Sequence, residues 1–235
     1  MIKGVILNAE NPHVEDVTGI GATWLHDGGP QPIIYPGIES VPGLQWGRET
    51  DAPGGNSRYL FVWNEPNHTG LSPEDGAIAW RENVEPRWAN ARLLLCPGCS
   101  WRSGWIEAWW NAYRAKYGRN PGFSAINIHG YDYPGRDVLA EFRGALAFAT
   151  AKHRSLWITE YAALPFDSWT ETERLTRAWS VIGWAMLNGV ARFAWFNTRT
   201  RGDERWAMDY NAPLFEYDSG AGTASGRLYA AWNGG

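Results

Sequence analysis

Tyr59-Leu60-Phe61-Val62-Trp63-Asn64-Glu65-Pro66-Asn67 is an apolar and aromatic run that ends in a carboxylate and a turn. Its first part reads as a buried strand, because aliphatic and aromatic residues in unbroken succession suit a sheet covered on both faces. Pro66 cannot donate to a sheet ladder and Asn67 favours turns. The strand is therefore expected over residues 59–64, delivering Glu65 at its C-terminal end. Leu156-Trp157-Ile158-Thr159-Glu160 repeats the pattern and is followed by Tyr161-Ala162-Ala163. Parallel α/β barrels keep their chemistry at the C-terminal ends of their strands.

Eight segments read as strands, at residues 4–8, 22–25, 32–35, 59–64, 92–96, 125–129, 156–160 and 192–196. The last five are separated by helical patterns, the signature of parallel βαβ units. Ser72-Pro73-Glu74-Asp75 opens one helix with an N-cap, a first-turn proline and acids at the positive dipole end. Ile106, Trp109, Trp110, Tyr113 and Tyr117 follow at helical spacing, with Gly118 as the stop. A third helix starts near Asp137 and carries Leu139, Phe142, Leu146 and Ala149 on one face. Thr170 and Glu173 form a capping box for a fourth, whose inward stripe reads as Leu175, Trp179, Ile182 and Met186, ending toward Gly189. A short helix over residues 226–232 closes the chain. Residues 9–58 are rich in Gly and Pro and show no amphipathic helix, so loops or single turns are expected to join the first three strands. The expectation is a compact (β/α)8 TIM barrel, α/β in class, forming one domain over residues 1–235 with irregular or missing helices in its first half.

The composition narrows the function. Net charge is −4, with 20% charged and 44% hydrophobic residues and no block of like charge, which argues against nucleic-acid and anionic-membrane partners. No run approaches the roughly 20 apolar residues of a membrane span. The start, Met1-Ile2-Lys3-Gly4-Val5, runs straight into a strand and lacks the basic and apolar regions of a signal peptide. The chain is thus expected either not to be exported by this route or to be secreted from a longer precursor. Tryptophan is in excess, with 16 Trp beside 10 Tyr and 8 Phe. Flat rings pack on the apolar C–H faces of sugars, although the larger share of these rings is assigned to the core.

Cys96-Pro97-Gly98-Cys99 has the spacing of a redox pair or half a zinc site. With no second pair and no thioredoxin-like surroundings, it reads as a free or locally bridged loop pair. His13, His26 and His68 lack metal-ligand spacing and read as scattered surface histidines. No metal and no organic cofactor is expected, and a monomer is. Gly19-Ile20-Gly21 lacks the third glycine of a dinucleotide site. Asn67-His68-Thr69 matches a glycosylation acceptor, but a glycan there would obstruct Glu65, so the match reads as coincidence.

Two opposed strand-end glutamates have a specific use. Hydrolysing a glycosidic bond requires a proton donor for the leaving oxygen and a group that stabilises an oxocarbenium-like centre. Two carboxyl groups about 5 Å apart do both. Strands four and seven face each other across a small barrel, so their upper ends aim Glu65 and Glu160 at one bond. His129 and Tyr131 follow strand six, where either could hydrogen-bond the nucleophile. Trp195 and Phe196 end strand eight, where an aromatic floor under the reacting sugar is expected. Trp101 and Trp169, in loops after strands five and seven, are candidate sugar platforms, as are Trp24 and Trp46 with less support.

Asn-Glu-Pro after strand four and Thr-Glu ending strand seven resemble the clan A glycoside hydrolases. The resemblance implies Glu65 as acid/base, Glu160 as nucleophile and Asn64 on the sugar hydroxyl next to the reacting carbon. Within the clan the chain is most similar to glycoside hydrolase family 128, the small β-1,3-glucanases. The similarity rests on Trp63-Asn64-Glu65-Pro66-Asn67, Asn127-Ile128-His129-Gly130-Tyr131, Trp157-Ile158-Thr159-Glu160-Tyr161 and Arg192-Phe193-Ala194-Trp195-Phe196, spanning Tyr59 to Trp232. Asn67 stands where that family usually has Asp, and the first 58 residues match poorly. What the resemblance implies is a retaining hydrolase acting on a β-1,3-glucan polysaccharide or oligosaccharide, endo in action. The alternatives are another clan A activity, such as a mannanase or xylanase, and a carbohydrate-binding barrel without turnover. A pure binder has no need of two opposed acids.

Overall fold

The computed structural model describes residues 1–7, 12–166, 168–199 and 212–232. Its strands are β1 (Ile2–Ile6), β2 (Trp24–His26), β3 in two segments (Glu39–Ser40 and Gly43–Leu44), β4 (Tyr59–Val62), β5 in two segments (Leu93–Leu94 and Cys99–Ser100), β6 (Ala125–Asp132), β7 (Ser155–Ala163) and β8 (Arg192–Trp195). All their pairings are parallel and they run around a ring. β2 joins β1 to the first segment of β3, and β4 joins the second segment of β3 to the first of β5. The second segment of β5 pairs with β6, β6 with β7, β7 with β8, and β8 returns to β1. Pro42 and Pro97, which have no N–H, interrupt the two split strands. The Pro42 carbonyl still accepts from Phe61 N at 3.0 Å, and Leu95 bridges to Ala125, so the ring is continuous across both breaks. The architecture is the (β/α)8 barrel.

The helices are α1 (Val14–Gly19), α2 (Pro73–Ala79), α3 (Glu85–Trp88), α4 (Trp105–Tyr117), α5 (Val138–Ala151), α6 (Glu171–Leu187) and α7 (Ala224–Ala231), with a π-helical turn at Trp80–Val84 joining α2 to α3. The local signals act as read. Ser72 and Asp137 accept from Asp75 N and Ala140 N, and both halves of the Thr170–Glu173 capping box are made. Gly118 ends α4 at φ 66°. Among the described residues no helix is long and apolar enough to cross a membrane.

Three expectations need correction. Residues 32–35 form no strand; the third strand lies in the following segment, where Val41 N donates to Leu25 O at 2.9 Å. Prolines at 30, 32 and 36 leave the earlier stretch short of ladder donors. The first half does hold a helix, α1, but its six residues are too few for periodicity to reveal. On α6 the buried stripe is Ala178, Val181, Ile182 and Ala185, while Trp179 is 49% and Met186 41% exposed. The small alanines set the helix close to the sheet, and the bulky residues fall to its flank. Asn8, expected in the first strand, lies outside the described residues.

Strand parity divides the core in two. Trp24, Val41, Phe61, Leu95, Ala125, Trp157 and Ala194 fill the barrel interior, one from each of seven strands. The eighth place is Gly4 on β1, where a Cβ would lie 2.1 Å from the Trp24 ring. Below this layer the Arg192 guanidinium sits 4.3 Å from the Trp157 ring and 4.8 Å from Tyr59, and pairs with Glu39 at 2.6 Å. The alternate residues, among them Ile126, Ile128, Ile158, Tyr161, Phe193 and Trp195, belong to the larger cluster that the helices cover.

Candidate active site

The end of β4 is built to aim Glu65. Trp63 and Glu65 both take left-handed backbone conformations, at φ 58° and 45°, so the chain twists sharply where the strand was expected to continue. Such strain persists only where surrounding contacts hold it. The buried Trp63 indole donates to Glu49 Oε1 at 2.8 Å and packs edge-on against Trp46 and Trp80. Glu65 N donates to Gly98 O at 2.7 Å, and Gly98 N donates to Trp63 O at 3.0 Å. Glu65 then starts a one-turn 3₁₀ helix, Pro66–His68, in which His68 N donates to Glu65 O at 2.8 Å.

On β6, Asn127, His129 and Tyr131 alternate toward the barrel mouth, as i, i+2 and i+4 must on a strand. The β6–β7 register slips by one residue, with Ile128 opposite Ile158 but His129 opposite Glu160. This bulge turns two successive β7 residues inward. Thr159 bonds the Asn127 side chain, and Glu160 receives the Tyr131 hydroxyl on Oε2. Without the extra residue, Glu160 would point outward into the helical layer.

His129 Nδ1 stands between the two acids, 3.2 Å from Glu65 Oε1 and 3.4 Å from Glu160 Oε2. One atom from each of the three groups lies within 4.8 Å of the others. His68 Nδ1 is 3.1 Å from the remaining oxygen, Glu65 Oε2. Burial pushes the Glu160 carboxyl up and the Glu65 charge pushes the same way, against the pull of His129 and Tyr131. Burial also acts upward on Glu65, but the His129 hydrogen bond and charge, and then His68, bring it below the usual carboxylate range. For His129, burial works against protonation and the charges of both glutamates overcome it, leaving it raised. One imidazole nitrogen thus hydrogen-bonds Glu65 and stands within ion-pair distance of Glu160, so it links the two acids. His26 is fully buried rather than on the surface, with Nε2 3.1 Å from Thr159 O, and burial lowers it to about 4. It is a neutral donor beneath the site.

The aromatic candidates separate. Phe196 is partly exposed and meets Tyr131 edge-on at 5.6 Å, with a cis peptide to Asn197. Trp195 does not face the cleft. It is fully buried outside the barrel, its indole donates to Ala212 O at 2.8 Å, and its ring packs on Tyr161 and Tyr229. Adjacent strand residues point to opposite faces, so Trp195 and Phe196 cannot both form a floor. Trp101 is likewise no platform: it docks on α5 beside Phe148 and over Gly144, where a Cβ would lie 2.6 Å from its indole nitrogen. Trp169 lies under the Arg177 guanidinium at 5.4 Å, in an open groove with Tyr133 and Arg143. Trp24 is interior core, and Trp46 is 37% exposed beside Trp63. Asn64 is exposed at the mouth, near Asn127 and His129.

Cys96 and Cys99 are free and buried. Burial raises both, Cys99 to about 12, so neither is a ready thiolate. The Cys96–Cys99 segment serves the site through Gly98, where a Cβ would stand 2.5 Å from Asn127 Nδ2 and 2.8 Å from His129 Nε2. The sequence reading missed Gly98, Asn127 and His68. Asn127 was available from the period-two spacing with His129 and Tyr131.

The sequence profile of the glycosyl hydrolase catalytic core matches residues 21–229. No curated protein matches. Among solved structures, a family 128 exo-β-1,3-glucanase from Blastomyces gilchristii, in complex with glucose, is 20% identical with a TM-score of 0.71, covering 98% of each chain. A family 128 endo-β-1,3-glucanase from Amycolatopsis mediterranei, in complex with laminaritriose, is 23% identical with a TM-score of 0.70 over 98% of each chain. An endo-β-1,3-glucanase from Pseudomonas viridiflava is 20% identical with a TM-score of 0.68, covering 98% of this chain and 97% of the other. At these identities the likenesses establish the fold.

Proposed function

The chain belongs to the glycosyl hydrolase catalytic core family, and from that premise we propose that it cleaves β-1,3-glucan with retention of anomeric configuration, Glu160 serving as nucleophile and Glu65 as acid/base. The observation that carries this reading is the carboxylate pair. Oxygens of Glu65 and Glu160, from strands across the barrel, lie within 4.8 Å of each other with His129 between them. Retaining enzymes hold their carboxyl groups at about 5–5.5 Å, whereas inverting enzymes leave room for a water at about 6.5–9.5 Å.

The steps follow from the positions. Glu160 attacks the anomeric carbon while Glu65 protonates the leaving glycosidic oxygen, and a glycosyl-enzyme ester forms. Glu65 then takes a proton from water, which attacks the same carbon and frees Glu160. The Tyr131 hydroxyl bonds Glu160, and Asn64, exposed at the mouth, is the residue that the family resemblance assigns to the neighbouring sugar hydroxyl. Phe196 offers a ring edge beside Tyr131. The β-1,3 linkage is supported by the solved structures of similar fold, whose enzymes are β-1,3-glucanases.

Two measurements test the proposal. Reducing-sugar release across laminarin, curdlan, lichenan, xylan, mannan and cellulose is expected to favour the first two; preference for xylan or mannan overturns the linkage. Azide rescue then assigns the roles. Glu160→Ala with azide should give an α-glycosyl azide from a β-linked substrate, because azide attacks in place of the nucleophile. Glu65→Ala with a dinitrophenyl glycoside should give the β-azide through two inversions. The reverse pattern means that the roles are exchanged, and an inverted product from the unmodified enzyme refutes retention.

A further inference from the structure

We infer that His68 is a positioning residue that caps the proton-donating oxygen of Glu65 in the substrate-free enzyme, and that the glycosidic oxygen of the bound glucan takes its place. The inference rests on the assignment of Glu65 as acid/base.

The two oxygens of Glu65 are not equivalent. Oε1 is turned inward to His129, which is 2% exposed. Oε2 faces the cleft, and among the described residues its hydrogen-bond partner is His68. A leaving oxygen arriving from solvent can therefore reach only Oε2, along the line that the imidazole occupies. His68 is free to move. Its side chain is 62% exposed and it ends a single 3₁₀ turn whose backbone bond to Glu65 does not involve the ring. A rotation about its side-chain torsions clears Oε2 without disturbing the core.

The arrangement also answers a difficulty in the resting site. Double displacement needs Glu160 ionised and Glu65 protonated. In the structure the environments act the other way, with Glu160 raised by burial and by the Glu65 charge, and Glu65 brought low by its two histidines against the effect of burial. The groups that face this pair are Cys99 on β5, His129 and Tyr131 on β6, each glutamate itself, and His68 from the turn. Of these only His68 is exposed enough to be displaced by substrate. Its departure removes a donor from Glu65, and an apolar sugar face in its place strengthens the effect of burial. The proton then favours Glu65. His129 remains 3.4 Å from Glu160 Oε2 and is positioned to support the ionised nucleophile.

The test uses pH profiles, because kcat/KM reports the free enzyme and kcat the complex. The alkaline limb reflects loss of the Glu65 proton. In the unmodified enzyme on laminarin, or on whichever polysaccharide of the panel is cleaved, the kcat/KM limb should lie at lower pH than the kcat limb. His68→Ala should move the kcat/KM limb upward, with a several-fold gain at alkaline pH, and leave the kcat limb in place, so that the gap between the two narrows. His68→Lys, which puts an ammonium near Oε2, should move the kcat/KM limb the opposite way. Equal shifts in both limbs would show that His68 stays on Glu65 in the complex and would overturn the inference. So would an unmoved kcat/KM limb, or shifts of one sign in both variants. Melting temperatures confirm folding of these exposed-site variants. A β-azide from Glu65→Ala combined with unmoved limbs defeats this inference alone, whereas an α-azide defeats the role assignment beneath it.

Discussion

At the scale of single residues, the site is a chain of donors around two acids. Tyr131 and His129 act on Glu160, His129 and His68 on Glu65. Tyr131 is the cleanest member to remove, since its hydroxyl goes and its ring can stay against Phe196. A hydrogen bond to a charged group contributes about 1.5–3 kcal/mol, so Tyr131→Phe should lower kcat by roughly 10–100-fold. The sign in pH also follows. Burial and Glu65 already push the Glu160 carboxyl up, and loss of a donor to its ionised form pushes it further. The acidic limb should therefore move to higher pH, with thermal stability little changed; steady-state profiles check this, and a limb that stays put contradicts the role. At this scale the sequence was most readable. An expected strand-end position singled out Glu65 and Glu160; a proline and an asparagine do mark where the first strand gives way, whereas β7 was expected to end at Glu160 and continues to Ala163, because its pairing with β6 extends that far. His68 was not readable as part of the site, because its contact depends on the left-handed turn at Glu65.

At the scale of elements, two irregularities do the aiming: the bulge in β7 that brings Glu160 inward, and the split in β5 that brings Gly98 against His129 and Asn127. Gly98→Ala tests the second. Its Cβ would be 2.8 Å from His129 Nε2 and 2.5 Å from Asn127 Nδ2, distances that force the imidazole to shift. A displacement of about 1 Å at a catalytic constellation costs on the order of 10²-fold in rate. The expected outcome is a loss of this order in kcat on polysaccharide, with far-ultraviolet circular dichroism unchanged; full activity would mean that β5 yields instead. Helix caps were legible, as Ser72 and Thr170 show, because a cap is settled within four residues. The α6 face was not. Trp179 and Met186 fit a helical stripe as well as Ala178 and Ala185 do, and only the spacing between helix and sheet selects the small residues.

At the scale of the whole molecule, the ring closes where the chain ends meet. β1 pairs with β8, and Lys3 on β1 reaches the carbonyl oxygens of Tyr229 and Trp232 at the end of α7, the latter at 2.7 Å. The Tyr229 hydroxyl returns to Gly4 O at 2.7 Å. Lys3→Met keeps the packing and removes the donors, so stability should fall by about 1–3 kcal/mol. Burial lowers the Lys3 ammonium from 10.5 to about 8 in the folded protein. Between those values the unfolded chain holds more protons, so this group adds stability as pH rises through the window. Denaturant titrations should show the advantage of the unmodified protein over Lys3→Met growing from about pH 8 to about pH 10; a constant difference would place the folded value near its ordinary one. The order of strands, the helix caps and the two acids were determined by the sequence itself, since each depends on a few neighbouring residues. The third strand, the parity that hides Trp195 and admits Phe196, and the inward turn of Glu160 were decided by the tertiary structure. Each depends on which segment lies opposite, and pairing partners here come from strands dozens of residues apart, where a slip of one residue reverses every side chain.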